Sequence, residues 1–154
     1  MNLNKMKTMK RYLLMFALVL GAICSYAQNN TTDYVVLDLS APNLAQLKTQ
    51  FAGQTNVFLN DNPKPAPYLI PNSMYGMQVA DLHIYVSTQP GAIYFNSITI
   101  TPANAGSFSE EFALWNSVVS GNVILHSSDV FTSPQGATLK TMLQQLTGLN
   151  FIAQ

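Results

Sequence analysis

The sequence predicts a three-layer α/β/α domain built on a mainly parallel sheet. Three observations carry that expectation. Tyr34-Val35-Val36-Leu37 and Val123-Ile124-Leu125 are unbroken apolar runs, and continuous rather than alternating apolarity marks strands buried on both faces. Segments with apolar residues at helical spacing lie between such runs, and strands that alternate with helices imply βαβ units. Residues 34–154 are long enough for one hydrophobic core and hardly for two.

The elements follow in order. Tyr34 to Asp38 is the first strand. Pro42-Asn43 opens a helix with Ser40 as candidate cap; Leu44, Leu47 and Phe51 fall on one face, and Gly53 ends it. Asn56 to Leu59 is a second strand. Residues 61–78 hold Pro63, Pro65, Pro67 and Pro71, a density that predicts a loop in place of a helix. Tyr68, Met74, Tyr75 and Met77 are interleaved there, so the loop is expected to cover the sheet with its own aromatics. The alternative is a binding loop. Asp81 to Val86 is a strand, Gln89-Pro90-Gly91 a turn, and Ala92 to Ile100 a hairpin or two short strands. Ala105 to Val119 reads as a helix with Phe108, Phe112, Trp115 and Val119 on one face, stopped by Gly121. Val123 to His126 is a strand expected at the centre of the sheet, because it is apolar on both sides. Pro134-Gln135 opens a last helix carrying Leu139, Met142, Leu143 and Leu146. Thr147-Gly148 closes it before a final strand over Leu149 to Ala153.

The front of the chain is of another kind. Lys5, Lys7, Lys10 and Arg11 precede an apolar run from Leu13 to Ile23, too short for a comfortable membrane anchor. Ser25-Tyr26-Ala27 sets small residues where a signal peptidase reads. The expected organisation is therefore a signal peptide over 1–27, a polar leader over 28–33 and a single α/β domain over 34–154, exported to the periplasm or the medium. Met9 could equally serve as the start. Cys24 raises a lipoprotein alternative, disfavoured because lipid attachment wants a small residue where Ile23 stands.

Signal removal changes the charge. Only Lys48, Lys64 and Lys140 remain against seven acidic residues, a net charge of −4. Three lysines and no arginine leave nothing to track a phosphate backbone, so no nucleic-acid partner is expected. No membrane association is expected after signal removal either. The single cysteine leaves with the signal, and a disulfide-free exported domain must rely on its core.

Ligands of such sheets bind beyond the carboxyl ends of the strands. Asp38, Asp61, Ser87-Thr88 and His126-Ser127-Ser128-Asp129 fall there. Asp38, Asp61, His126 and Asp129 are thus a candidate edge for a polar ligand, and such oxygens also suit a hard cation. The plainer reading is that small polar residues cap helices and start turns at these places. His83, between Leu82 and Ile84, reads as a strand residue and not as a ligand. No Gly-x-Ser-x-Gly elbow, phosphate loop, His-Glu-x-x-His or dinucleotide fingerprint is present. No metal set and no cofactor is expected.

Several segments together carry a family resemblance. Tyr34-Val35-Val36-Leu37-Asp38 with Pro42-Asn43-Leu44-Ala45-Gln46-Leu47, and Leu82-His83-Ile84-Tyr85-Val86-Ser87-Thr88-Gln89-Pro90-Gly91-Ala92-Ile93, lie in order. Trp115, Val123 to Leu125, Gly136 and Leu146-Thr147-Gly148 follow. The chain resembles the exported bacterial domain-of-unknown-function four-three-four-seven family, found at the front of large secreted, adhesin-like proteins and distantly similar to the caspase and gingipain cysteine peptidases. The resemblance implies a caspase/gingipain-like fold. It also implies a general-base histidine where Ser87 stands and a nucleophilic cysteine where Ser128 stands. Both positions are changed, and serine without an imidazole beside it is a weak nucleophile.

The leading expectation is an exported non-catalytic binding or structural domain, a degenerate relative of that peptidase-like fold, whose partner is a protein or a polar ligand. One alternative is a hydrolase using Ser128 and His126. The other is an accessory partner of a larger secreted protein.

Overall fold

The computed structural model describes residues 32–154; the signal-peptide reading of 1–27 and most of the polar leader lie outside the described residues. Strands β1 (Tyr34–Asp38), β2 (Val57–Asn60), β3 (Leu82–Tyr85), β7 (Asn122–Leu125) and β8 (Asn150–Ala153) form one sheet in the order β2-β1-β3-β7-β8. Every pairing in it is parallel, with Val36 level with both Phe58 and Ile84, and Ile84 with Leu125. A second sheet, β4 (Ser87–Gln89), β5 (Ala92–Phe95) and β6 (Ile98–Ile100), is an antiparallel meander. The helices are α1 (Leu44–Gln50), α2 (Ala66–Ser73), α3 (Ser109–Ala113) and α4 (Pro134–Thr147), with single 3₁₀ turns over Ala105–Phe108 and Leu114–Ser117 flanking α3. With helices on the sheet, the architecture is the expected three-layer α/β/α fold.

Side-chain alternation divides the sheet into two unlike faces. Tyr34 and Val36 of β1, Leu82 and Ile84 of β3, Val123 and Leu125 of β7, and Phe151 of β8 are all buried in the main core. Ile70 and Met74 from α2 and its end, Phe112, Trp115, Leu139 and Leu143 meet them there. The opposite face carries His83 and Tyr85 on β3 and Ile124 on β7. There α1, which buries no residue of its own, is the nearby helix, with Phe51 tilted against Tyr85 at 5.6 Å between ring centres.

Four expectations are corrected. The proline-rich segment is not a loop throughout: α2 forms inside it. Pro65 is its N-cap and Pro67 lies in the first turn, where the backbone N–H has no intrahelical partner to lose. Pro71 is inside the helix. The bond it cannot make would run to the carbonyl of Pro67, and that carbonyl accepts the buried indole N–H of Trp115 at 2.9 Å instead. Second, Ser40 is not a helix cap. Asn43 holds that position in the left-handed region (φ 58°), which asparagine tolerates, and makes no side-chain cap bond. Ser40 Oγ instead accepts the Ser87 backbone N–H at 3.1 Å. Third, the single helix expected over 105–119 is broken, because Phe108 at φ −115° and ψ 27° leaves helical geometry. Fourth, β7 is internal but β3 is the middle strand, flanked by β1 and β7. Apolarity on both faces requires only a neighbour on each side, not the middle position.

The last helix is as expected. Ser133 Oγ accepts the Gly136 N–H at 3.0 Å, Pro134 begins the helix, and Gly148 ends it at φ 72°.

Candidate functional site

Parallel pairing brings the carboxyl ends of β1, β3 and β7 to one edge. There the chain leaves β3 through Val86 into β4, and leaves β7 through His126, Ser127, Ser128 and Asp129. The loop after β7 is held by its own backbone. The Asp129 carbonyl accepts from the Thr132 N–H at 3.0 Å and from the Thr132 hydroxyl at 2.7 Å, and the Val130 carbonyl accepts from the Gly91 N–H at 2.9 Å. Gly136 lies directly behind, where an added Cβ would come within 2.3 Å of the Val130 carbonyl oxygen. The glycine lets α4 approach the loop that carries the candidate residues.

Three side chains converge at this edge. Thr88 Oγ1 donates to Asp129 Oδ1 at 3.1 Å, Ser127 Oγ donates to the same oxygen at 2.9 Å, and the two hydroxyls are in direct contact. All three residues are half-buried. Ser87 and Ser128, which stand where the resemblance expects base and nucleophile, are not part of the cluster. Ser87 is held by its backbone N–H on Ser40, and Ser128 is exposed with no side-chain hydrogen bond among the described residues.

His126 turns elsewhere. Its Nε2 lies 3.0 Å from Nδ1 of His83, and its ring is stacked on Tyr85 with centres 3.9 Å apart and planes 2° from parallel. The far nitrogen of His83, Nε2, is 3.7 Å from Asp33 Oδ2. Burial, and then the charge of His83, hold His126 below the usual imidazole range. Burial also pushes the Tyr85 phenol up. His126 and Tyr85 border a groove of about 330 Å³ under α1, lined also by Asn43, Gln46 and Gln154.

The other candidates separate. Asp38 is fully buried and structural in its contacts. Its Oδ1 accepts the backbone N–H groups of Ser40 and Asn96, each at 2.8 Å, and its Oδ2 accepts from Asn60 Nδ2 at 2.5 Å. It ties the ends of β1 and β2 to the β5–β6 turn. Asp61 is exposed in the loop after β2. Of the candidate edge residues, therefore, Asp129 joins the hydroxyls of Thr88 and Ser127, and His126 packs against His83 and Tyr85.

Sequence reasoning ranks neither Thr88 nor Ser127 above its neighbours and misses His83 and Tyr85 as partners of His126. The signal for the first pair is the Ser-x-Asp spacing at 127 and 129, which lets a hydroxyl reach a carboxylate two residues on. The signal for the second is that His83 and Tyr85, two apart in a strand, share a face. It becomes usable only with the register that sets Ile84 against Leu125.

A family model described as Domain of unknown function (DUF4347) matches residues 34–154. No curated protein and no solved structure is similar enough to match the chain.

Proposed function

The chain belongs to the DUF4347 family of domains of unknown function, and we propose that it is an exported, non-catalytic binding or structural domain, a degenerate relative of a cysteine-peptidase-like fold. One observation carries the reading. Beyond the carboxyl ends of β3 and β7, Thr88, Ser127 and Asp129 form a cluster of two hydroxyls and a carboxylate that contains no imidazole. Hydrolysis through an activated serine needs a nucleophile, a base that takes its proton and donors for the oxyanion. The nearest imidazole, His126, directs Nε2 at His83. The chain also bends at His126 and again at Ser128, so the two do not share a strand face as residues two apart in an extended segment do. Export is supported by the basic stretch, apolar run and Ser-Tyr-Ala pattern at the front of the sequence.

One measurement addresses both parts. The protein recovered from outside the cytoplasm is exposed to a fluorophosphonate probe and its intact mass is read. The expected mass begins at or near Gln28 and carries no adduct. A mass retaining Cys24 with acyl chains overturns soluble export. An adduct that disappears in Ser128→Ala and in His126→Ala overturns the non-catalytic reading.

A further inference from the structure

The groove between α1 and the sheet lies where the strand order reverses. From β1 the chain goes outward to β2, then adds β3 on the other side of β1 and continues away from it through β7 to β8. Open α/β sheets bind ligands beyond the carboxyl ends of the strands at such a reversal. The groove takes Asn43 from the segment after β1, Tyr85 from the end of β3, His126 from the end of β7 and Gln154 from the end of β8. Its volume of about 330 Å³ is at the lower end of the range for small-ligand sites, about 300–1,000 Å³.

The lining selects the ligand. Residues 28–154 hold three lysines and seven acidic residues, and none of them lines the groove. A charged ligand would give up hydration there without meeting a counter-charge. What the groove offers is carboxamides. Gln46 and Gln50 are four residues apart on α1 and so share a face. Asn43 precedes them in the left-handed region with no side-chain cap bond, and Gln154 faces them from the end of β8. None of these four side chains makes a hydrogen bond among the described residues. Each carboxamide carries two donors and an acceptor, and the Tyr85 phenol carries one of each. His126 is held below the usual imidazole range, so it is neutral near pH 7. Asp33 beside His83 Nε2 favours the proton on that nitrogen. His83 Nδ1 then accepts from Nε2–H of His126, which leaves Nδ1 of His126 as an acceptor. The parallel stacking of Tyr85 on His126 fixes these two rings relative to each other.

We infer that this groove binds a neutral saccharide, with Asn43, Gln46, Gln50 and Gln154 pairing with its hydroxyls alongside Tyr85 and His126. The inference rests on the reading of the protein as a binding domain and deepens it. Each sugar hydroxyl both donates and accepts, as the carboxamides and the phenol do, and carries no charge. An extended peptide is instead read largely through main-chain bonds to a free strand edge, and β3 and β7, which carry Tyr85 and His126, have neighbours on both sides.

The test follows the side-chain amide signals of Gln46 and Gln50 by NMR in the mature chain. The chain is titrated separately with glucose, galactose, mannose and N-acetylglucosamine. N-acetylneuraminic acid, glucosamine and acetyl-Ala-Ala-Ala-amide serve as anionic, cationic and peptide comparisons. The expected result is saturable binding of at least one neutral sugar that moves both side-chain signals, with weaker binding of the three comparisons. Gln46→Ala and Gln50→Ala leave the fold intact, since α1 buries no residue, and each weakens binding by about fivefold or more. Gln145→Ala, an exposed carboxamide on α4, leaves it unchanged. Absence of saturable binding by any of the four neutral sugars overturns the proposal. So does equal affinity in the three variants, or tighter binding of a charged sugar or of the peptide. Absence of sugar binding together with an unlabelled Ser128 removes this inference and leaves the non-catalytic reading intact; a labelled Ser128 removes that reading instead.

Discussion

At the scale of single residues, chemistry at the sheet edge depends on which side chains the bends after β3 and β7 bring together. Sequence names the right loops, since Ser87-Thr88 and Ser127-Ser128-Asp129 are polar residues following apolar strands. It does not say which hydroxyl in each loop turns inward. Thr88 and Ser127 do so and Ser87 and Ser128 do not, because Ser87 is held through its backbone by Ser40 and the chain bends at Ser128. His126 shows the same limit: its partner, His83, is 43 residues away and is reached only through the β3–β7 register. The pair has a consequence for stability. The folded His126 ring resists protonation, through burial and the neighbouring His83. The unfolded chain binds that proton at the ordinary imidazole value of about 6.5. Below that pH the unfolded state therefore holds more protons, and stability falls as pH falls toward the lowered folded value. Urea midpoints of wild type are expected to drop between about pH 7.5 and 5.5. In His126→Gln the drop is shallower. An equal drop in the two proteins would assign the acid sensitivity to other groups.

At the scale of elements, the five strands of the parallel sheet and α4 are legible because their signals are local, whereas β4, read as the approach to a turn, is seen only through its pairing with β5. Unbroken apolar runs mark β1 and β7, and Pro134 and Gly148 mark the ends of α4. The helix α2 was not legible, because what permits it is remote. Proline density argues against a helix, yet only Pro71 lies where a helical N–H is needed, and the carbonyl it leaves free is taken by Trp115, a residue 48 positions later. Trp115 is 1% exposed and stands against Phe112 and Phe151 as well. Replacing it with Phe keeps most of the packing but strands the buried Pro67 carbonyl, at a cost of about 1–3 kcal/mol for the unmet acceptor in addition to lost volume. Pro71→Ala restores an N–H four residues from that carbonyl. The double variant Trp115→Phe/Pro71→Ala is therefore expected to be more stable than the sum of the two single changes, by about 1 kcal/mol. Chemical denaturation of the four proteins measures this coupling. A value of zero would mean that the indole bond does not substitute for the helical one.

At the scale of the whole molecule, the fold class followed from alternation of strands and helices, but strand order did not. An apolar strand such as β7 says that it has neighbours, and the place of β3 in the middle emerges only from the connections, which carry the chain from β2 back past β1. The same sheet is unequal on its two sides. One face is closed by α2, α3 and α4 with their buried aromatic and aliphatic side chains. On the other, α1 contributes no buried residue, and the half-exposed Tyr85 and His126 lie beside an open groove. Opening α1 thus exposes little apolar surface, whereas opening α4 uncovers Leu139 and Leu143, at about 25 cal/mol for each Å² of apolar area. Local opening should follow this asymmetry. In native-state hydrogen exchange, the amides of β3, β7 and α4 are expected to exchange only through global unfolding, with the steepest denaturant dependence. Those of α1 should exchange through a local opening that depends weakly on denaturant. Exchange of α1 and α4 with the same free energy and the same slope would show that the two faces unfold as one unit, and the groove beside His126 would then be as rigid as the core.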